Sequence, residues 1–363
     1  MNLLCKYNLN HFKGLSLVLK ILLSLLCYFQ KVEVCAQDVQ LTQANASPLY
    51  LNPALTGSNY DMRAAVSYRN QWVGLPANFQ TYLASFDYFH EKSRMSVGSL
   101  IIQDQRFDSG NKRLTELSLI SSASYLLEIN KDLHLSVGLQ VGVIQGSLDF
   151  YGFIFSDQLD DKGITGPSLE NLPSTNVFNP DVNAGILLFN KQYWFGFSAY
   201  HLTTPNISFL SEGGITKPIR YNLNAGYVIP LKYNKRYGVP NLKNYNVTVT
   251  GLYQREGNAQ QFTIGGYYTN MPIIVGFWYR GMPFLKNASD YEQINHDAVA
   301  FLFGLRVKKF QFGYSFDYSL SKLPSGQSLS HEISLAYPLH SYDENPKKPK
   351  KKKTKVICPL PTI

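Results

Sequence analysis

The residues of this chain that could do chemistry are few and scattered. His331-Glu332 begins like a zinc-protease motif, but Leu335 stands where the second histidine of that motif would be. No Gly-x-Ser-x-Gly sequence marks a hydrolase nucleophile. The Gly265-Gly266 pair lies inside an alternating stretch, where glycine permits close packing rather than phosphate binding. The sequence therefore predicts no enzyme, no cofactor and no metal site.

A larger set of charged residues recurs on the polar side of stretches in which polar and apolar residues alternate. In one interpretation they line a selective pore or a ligand-binding lumen, and in the other they pair with one another inside a plugged barrel. Polar interiors are the rule in membrane barrels, so we favour pairing. The set consists of Arg63, Arg69, Asp87, Glu116, Arg220, Arg280, Arg306, Asp317 and Glu332.

The elements that must position these charges are β-strands, because side chains alternate between two faces along a strand. The clearest run is 298–339, which holds three consecutive stretches with one apolar and one polar or small face. Each is about ten residues or longer, which is roughly the length a tilted strand needs to cross a bilayer. Similar stretches recur from residue 61 onward, and we predict about fourteen strands. A slip in the pattern near Ser99 predicts a β-bulge in the third strand.

The links between these strands also alternate, being mostly short after even-numbered strands and longer after odd-numbered ones. The main long loops are expected at 150–180 and 283–296, whereas 232–243 breaks the alternation. Short turns on one rim and long loops on the other are typical of outer-membrane barrels, in which the short turns are periplasmic. An even strand count then places both termini in the periplasm.

Composition separates this fold from its competitors. The chain has 25 Tyr and 22 Phe but only 16% charged residues, as expected for a lipid-facing band with aromatic girdles. After the leader no apolar run reaches about 18 residues, which excludes a helical membrane protein. A soluble β-sandwich shows the same alternation, but the leader, the aromatics and the asymmetric links together favour a closed transmembrane antiparallel β-barrel.

The ends of the chain carry most of its positive charge. Residues 1–36 read as a signal peptide with a net charge of +3, and the seven lysines of 347–355 add +7. Subtracting both from the total of +9 leaves −1 for the body, which is not the basic surface of a nucleic-acid-binding protein. The sequence thus divides into a signal peptide (1–36), a periplasmic N-terminal segment (37–60), an outer-membrane barrel (61–342) and a Lys-rich periplasmic tail (343–363).

The segment before the first strand contains Asn52-Pro53 and Gly57, which predict a structured turn or short helix. This turn either docks a partner or tucks the segment into the barrel, and we favour the structural role. Within the tail, Lys350, Lys351, Lys352 and Lys353 are candidates for contact with an acidic periplasmic partner or the cell wall. Cys358 is the one cysteine outside the leader, and the sequence assigns it no role.

Several stretches resemble the PorP/SprF family of outer-membrane proteins of type IX secretion and gliding motility in Bacteroidetes. The resemblance covers essentially the whole chain after the leader. It is most specific in three stretches: Tyr50 to Gly57, Tyr68 to Trp72, and Gly313 to Tyr318 leading to His331–Tyr337. The motif residues within these stretches are Asn52, Pro53, Gly57, Arg69, Trp72, His331 and Glu332. The basic tail ending in Cys358-Pro359 is also similar, whereas Ser328-Leu329-Ser330 departs from the Gly-Gly that family members often have there, and 360–363 departs as well.

This resemblance implies a component in the outer membrane, surrounded by its lipid, that helps deliver or anchor secreted proteins bearing a type IX C-terminal signal domain. It also implies periplasmic and lipoprotein partners in the secretion and gliding machinery. The residues themselves leave three hypotheses open: a non-enzymatic assembly factor, a pore for small solutes, and a surface adhesin.

Overall fold

The computed structural model describes most of the chain after the leader. The described residues are 38–58, 62–75, 78–107, 113–148, 156–160, 163–164, 166, 176–209, 215–231, 233–234, 239–240, 245–287, 290–320, 329–340 and 358–360. The expected signal peptide, Lys350–Lys353 and most of the tail lie outside these residues.

Fourteen strands in this part of the chain close into one antiparallel barrel, which confirms the predicted fold. Each strand pairs with its neighbours in sequence, and β1 closes the ring on β14. The strands are β1 Met62–Gln71, β2 Phe79–His90, β3 Met95–Phe107, β4 Arg113–Glu128, β5 His134–Leu148, β6 Asn176–Phe189, β7 Tyr193–Tyr200, β8 Arg220–Pro230, β9 Tyr245–Glu256, β10 Ala259–Asn270, β11 Ile273–Asn287, β12 Asp290–Val307, β13 Phe310–Ser319 and β14 Leu329–His340. Among the described residues, no helix has the length and apolar character needed to cross a membrane.

The outer wall is apolar because the alternating residues point outward in step. Along β5, Val137, Leu139, Val141 and Val143 are all exposed on the outside, while the residues between them face the lumen. In a membrane protein this is the arrangement that lipid requires, since closure leaves no strand edge with unpaired backbone groups.

The links divide between two ends of the barrel. We call the end that carries the links after even-numbered strands, together with the start of β1 and the end of β14, the turn rim. The opposite end, which carries the links after odd-numbered strands, is the loop rim. The longest link, 149–175, is on the loop rim, and its described part includes the ribbon Leu159–Asp160 with Gly163–Ile164. The long link after β8 is on the turn rim, and it contains the ribbon Tyr233–Asn234 with Val239–Pro240.

The loop expected at 283–296 is instead mostly strand. β11 continues to Asn287 and β12 begins at Asp290, so the hairpin extends beyond the region of apolar alternation. The pairing shifts register at Gly281, which has a φ of +151°. The pairing of the two strands continues irregularly, with further register shifts on either side of Lys286, as far as Asn287 and Asp290.

The bulge expected near Ser99 is also absent, because β3 pairs with both neighbours without a register shift. The slip in the sequence pattern arises because Leu100 and Ile102 point into the lumen, where they are buried. Leu302 in β12 is inward for a similar reason and packs with Tyr267 and Trp278. Apolar residues thus occur inside the barrel where they contact other apolar side chains.

Many of the apolar side chains inside the barrel belong to residues 38–58, which we call the plug. Its regular parts are the 3-10 turn Ala44–Ala46, the helix α1 Pro48–Leu51 and the 3-10 turn Pro53–Leu55. The plug runs inside the barrel from the loop rim, where Asp38 meets Arg220 at the start of β8, to the turn rim. Residues 38–58 of the N-terminal segment expected at 37–60 thus lie inside the barrel. Residues 39–60 contain no charged side chain, which removes the largest cost of burying them.

Candidate functional site

Asn52 fastens the plug to the barrel wall. Its Oδ1 accepts a hydrogen bond of 2.9 Å from the N–H of Ala54, which caps the second 3-10 turn. Its Nδ2 donates to the carbonyl oxygens of Ile186 in β6 and Phe197 in β7, at 3.1 and 3.3 Å. The side chain is fully buried, so one asparagine joins the turn in the plug to two neighbouring strands.

Glycines in the wall make this close approach possible. A Cβ at Gly138 would lie 2.3 Å from the carbonyl carbon of Pro53, and one at Gly185 would lie 2.1 Å from Oδ1 of Asn52. A Cβ at Gly196 would lie 2.9 Å from Asn52 Nδ2. A glycine within a strand often marks a place where another backbone approaches closely, and these three form the seat of the Asn52-Pro53 turn.

Two apolar clusters fix the plug against the wall on either side of this seat. Burial of these side chains is the main favourable term for docking, at roughly 25 cal/mol per Å² of apolar surface. The cluster nearer the turn rim contains Leu51, Ala54, Leu55, Leu187, Phe189, Trp194, Val228, Cys358 and Leu360. The other cluster contains Leu41, Leu49, Tyr50, Leu83, Leu100, Ile102 and Ile120.

The C-terminal residues take part in the first cluster. Cys358 and Leu360 are buried in it, and the N–H of Cys358 donates to the carbonyl oxygen of Ser58 at 3.2 Å. Burial raises the pKa of the Cys358 thiol to about 12. The end of the chain therefore packs on the turn-rim end of the plug.

One buried charge network surrounds Thr42 in the plug. Arg69 contacts Asp317 at 2.8 Å and Glu332 at 3.2 Å, and it donates to the hydroxyl of Thr42 at 2.9 Å. Arg280 approaches Asp317 at 3.6 Å and the same hydroxyl at 3.0 Å. The N–H of Thr42 donates to Glu332 at 2.8 Å. Four charges predicted from sequence thus converge on one plug residue.

A second network surrounds Asp38 at the loop-rim end. Its carboxylate lies 2.7 Å from His201 Nε2, 2.9 Å from Lys217 Nζ and 2.8 Å from an Arg220 nitrogen. Lys217 also forms an ion pair with Glu116. Burial acts to raise the pKa of Asp38, but the three positive charges outweigh it and hold that pKa well below its usual range.

His201 is held in its charged form within this network. Burial acts to lower its pKa, yet the charge of Asp38 and the hydrogen bond to Asp181, 3.1 Å from Nδ1, raise the pKa of His201 to about 9. At neutral pH both ring nitrogens therefore donate, one to each carboxylate.

Arg63 and Asp87, two more of the predicted charges, form a pair at 3.3 Å near the turn rim. Asp87 also accepts from the N–H of Gly57 at 2.9 Å. Gly57 has a φ of +63°, and a Cβ there would lie 2.4 Å from Ser96 Oγ. The glycine is thus needed both for its backbone conformation and for space.

Three other predicted residues lie elsewhere in the barrel. Arg306 is half-buried on the inward face of β12. Trp72, at the loop rim, has a φ of +60° and packs edge-on against Phe79. His331 is on the outward face and hydrogen-bonds Tyr314 at 2.8 Å, so it does not share a site with the inward Glu332.

Sequence reasoning missed Asp38, His201 and Lys217, none of which was among the charges predicted to face the lumen. The uncharged run 39–60 could have indicated a buried plug, but nothing local links Asp38 to a histidine 163 residues away.

The described residues contain no group of three or more His, Cys, Asp or Glu side chains arranged to hold a metal ion. What the arrangement achieves is to fill the lumen with a segment held by paired charges, hydrogen bonds and apolar contacts.

Comparison with solved structures finds barrels of similar extent. A FadL homologue from Pseudomonas aeruginosa is 12% identical with a TM-score of 0.45, covering 81% of this chain and 94% of its own. The toluene transporter TbuX from Ralstonia pickettii is 11% identical with a TM-score of 0.46, covering 81% and 94%. The toluene transporter TodX from P. putida is 11% identical with a TM-score of 0.43, covering 82% and 94%. Similarity at this level does not transfer the substrates of those proteins to this chain.

No protein with a curated description matches the sequence. The family model of the type IX secretion system membrane protein PorP/SprF, in contrast, matches residues 34–337. That span contains the plug and all fourteen strands except the last three residues of β14. The chain, a membrane β-barrel with a plugged lumen, therefore belongs to the PorP/SprF family of type IX secretion membrane proteins.

Proposed function

We propose that this protein is a non-enzymatic accessory component of type IX secretion in the outer membrane. It receives or anchors secreted proteins that bear a C-terminal signal domain, at the cell surface. Family membership supports the link to secretion. The links support the orientation with the turn rim in the periplasm and the loop rim outside, because the longest link, 149–175, is on the loop rim and most links on the turn rim are short.

The observation that favours a scaffold over a solute pore is the plug. Apart from Ala44, residues 41–58 are buried, and they make contact with strands on several sides of the barrel. The charges that a pore would use to select solutes are instead engaged with each other and with the plug. Because the plug occupies the lumen, we expect partners to bind at the two rims.

In this proposal the secreted protein binds the loop rim, where the longest link, 149–175, emerges. The turn rim and Lys350–Lys353 engage periplasmic components, and clustered lysines suit an acidic partner.

The test is affinity purification of the tagged full-length protein from its own host, with and without replacement of Lys350–Lys353 by glutamine. Wild type should recover a secreted protein together with periplasmic machinery. The glutamine variant should retain the secreted protein and lose periplasmic components. Recovery of no secreted protein, together with unchanged secretion in a deletion strain, would refute the proposal.

A further inference from the structure

The buried carboxylate of Asp38, at the start of the plug, lies in a site formed by His201, Lys217 and Arg220, which we call the receptor. The Asp38 carboxylate has two oxygens, and three cationic groups lie within 3 Å of them: His201, Lys217 and Arg220. All three cations are at most 7% exposed. Bonds between charged partners are the strong class of hydrogen bond, and this carboxylate receives three of them.

The cations are positioned independently of Asp38. His201 is held by Asp181 through its ring and by Asn183 Oδ1 through its backbone N–H, at 3.1 and 2.9 Å. The backbone N–H of Lys217 donates to a carbonyl in the same link, and its ammonium group also reaches Glu116.

The third cation is similarly fixed. Arg220 belongs to β8, and its guanidinium carbon lies 4.8 and 4.3 Å from the ring centres of Tyr50 and Tyr200. It also donates to the Tyr50 hydroxyl at 2.8 Å. The three cations and the groups that position them thus lie in the barrel wall, in the link after β7 and in the well-buried part of the plug.

Asp38, in contrast, lies on the least embedded part of the plug. Residues 38–40 have no regular structure and are partly exposed, whereas the residues after them are buried. Removing the acid from the receptor requires breaking the hydrogen bonds of Val39 with Tyr50 and of Gln40 with Gln261, but it leaves the Asn52 seat untouched. An empty receptor would leave buried cations short of a partner, which is costly, so another anion should replace the one that leaves.

The surroundings select a singly charged anion. Asp181 and Glu116 already face His201 and Lys217, and Glu256 lies 3.0 Å from the N–H of Asp38. These carboxylates would repel a dianion such as phosphate, and the site now holds a single carboxylate group.

We propose that His201, Lys217 and Arg220 form a carboxylate-binding site at the loop-rim end of the lumen. Asp38 is its internal occupant, and a carboxylate of the secreted partner replaces it during anchoring. The identity of that partner rests on the proposed function above, but the existence of the site does not. The incoming group is either a C-terminal α-carboxylate or an acidic side chain, and the two are separable by experiment.

The test is chemical rescue in the full-length protein in detergent. Asp38→Ala empties the receptor, and thermal unfolding is then followed in sodium acetate and in sodium chloride at equal ionic strength. Acetate should raise the midpoint of the variant by at least about 2 °C over chloride, by the linkage of ligand binding to stability. Wild type, whose receptor is filled, should show no such difference.

Three further arms make the result specific. Asp38→Ser, which also leaves the space of the carboxylate group open, is measured in the same way in case the alanine variant folds poorly. Lys217→Met combined with Asp38→Ala should abolish the acetate effect. Inorganic phosphate should rescue less than acetate.

Two probes then separate the sources of the carboxylate, N-acetylglycine for the α-carboxylate and an N-acetylaspartate amide for the side chain. The probe that raises the unfolding midpoint of Asp38→Ala at the lower concentration identifies the source of the carboxylate.

Equal midpoints in acetate and chloride for both Asp38 variants would overturn the proposal, as would rescue that survives Lys217→Met or is stronger with phosphate. These outcomes are independent of secretion. A protein that captures no secreted partner but shows rescue retains the site and loses the proposed function.

Discussion

Asn52 offers the sharpest test of how the plug is held, because the two polar atoms of its side chain form hydrogen bonds with different parts of the protein. Nδ2 donates to two wall carbonyls, whereas Oδ1 accepts a single bond within the plug. Replacing Asn52 with alanine removes all three bonds. At a net value of roughly 0.5–1.5 kcal/mol each, the expected loss is about 2–4 kcal/mol in the free energy of unfolding.

Asn52→Asp is nearly isosteric, and by size alone it would be the milder change. It preserves the acceptor but places a carboxylate oxygen against the carbonyls of Ile186 and Phe197, in a fully buried position. A buried charge left without a partner costs about 3–5 kcal/mol, so the aspartate variant should be the less stable of the two.

A matched control exists at Asn130 in the turn after β4. There the side chain is exposed, and its Oδ1 accepts from the N–H groups of Asp132 and Leu133 at 3.0 and 2.7 Å. An aspartate can accept the same bonds, so Asn130→Asp should change stability by no more than about 0.5 kcal/mol.

The assay is urea unfolding of the refolded protein in detergent, followed by tryptophan fluorescence. Trp194 is suited to this because it lies in the apolar cluster that contains Leu51 and Leu55 of the plug. Heat-modifiable mobility on gels reports in parallel whether the barrel itself has closed. An Asn52→Asp variant that is as stable as Asn130→Asp, or more stable than Asn52→Ala, would contradict this role of Asn52.

Packing against the plug, burial of Cys358 and the charge of His201 can each be tested by substitution or labelling. Gly138→Ala should destabilise the protein by about 1–3 kcal/mol through overpacking against Pro53, whereas Gly251→Ala, whose Cβ has its nearest neighbour at 3.9 Å, should be neutral or slightly stabilising in the same urea assay. The buried Cys358, with its pKa of about 12, should resist maleimide at pH 8 in the folded protein and react after unfolding; rapid labelling of the folded protein would contradict its place in the cluster. Because the pKa of His201 is raised from 6.5 to about 9 on folding, its contribution to stability should be complete below pH about 6.5 and lost as pH rises through 9. His201→Gln should flatten that part of the pH profile, and an unchanged profile would count against the charged pair.

The strands were predictable from sequence because lipid imposes a strict rule on them. Outward residues in the lipid-facing band are mostly apolar, so alternation along β5 or β13 is visible without any knowledge of partners. The inward face obeys no such rule. Leu100 and Leu302 point inward to contact other apolar groups, and a reading based on polarity alone interprets them as irregularities.

The plug and the Asp38 receptor were not predictable in the same way. Short 3-10 and helical turns have no period that marks them as buried, and the contacts that bury them come from strands far away in sequence. His201 and Lys217 are in a link, where charged residues ordinarily face solvent. Their role depends on how that link folds back over the lumen to Asp38, which only the three-dimensional structure shows.

We propose that residues 38–58 fill the lumen, so that the barrel acts as a scaffold rather than a channel. The most direct test is planar-bilayer recording of the purified full-length protein, with insertion verified by flotation with liposomes. We predict inserted protein that is electrically silent at moderate voltages. Stable, ohmic conductance steps from inserted wild-type protein would contradict the claim.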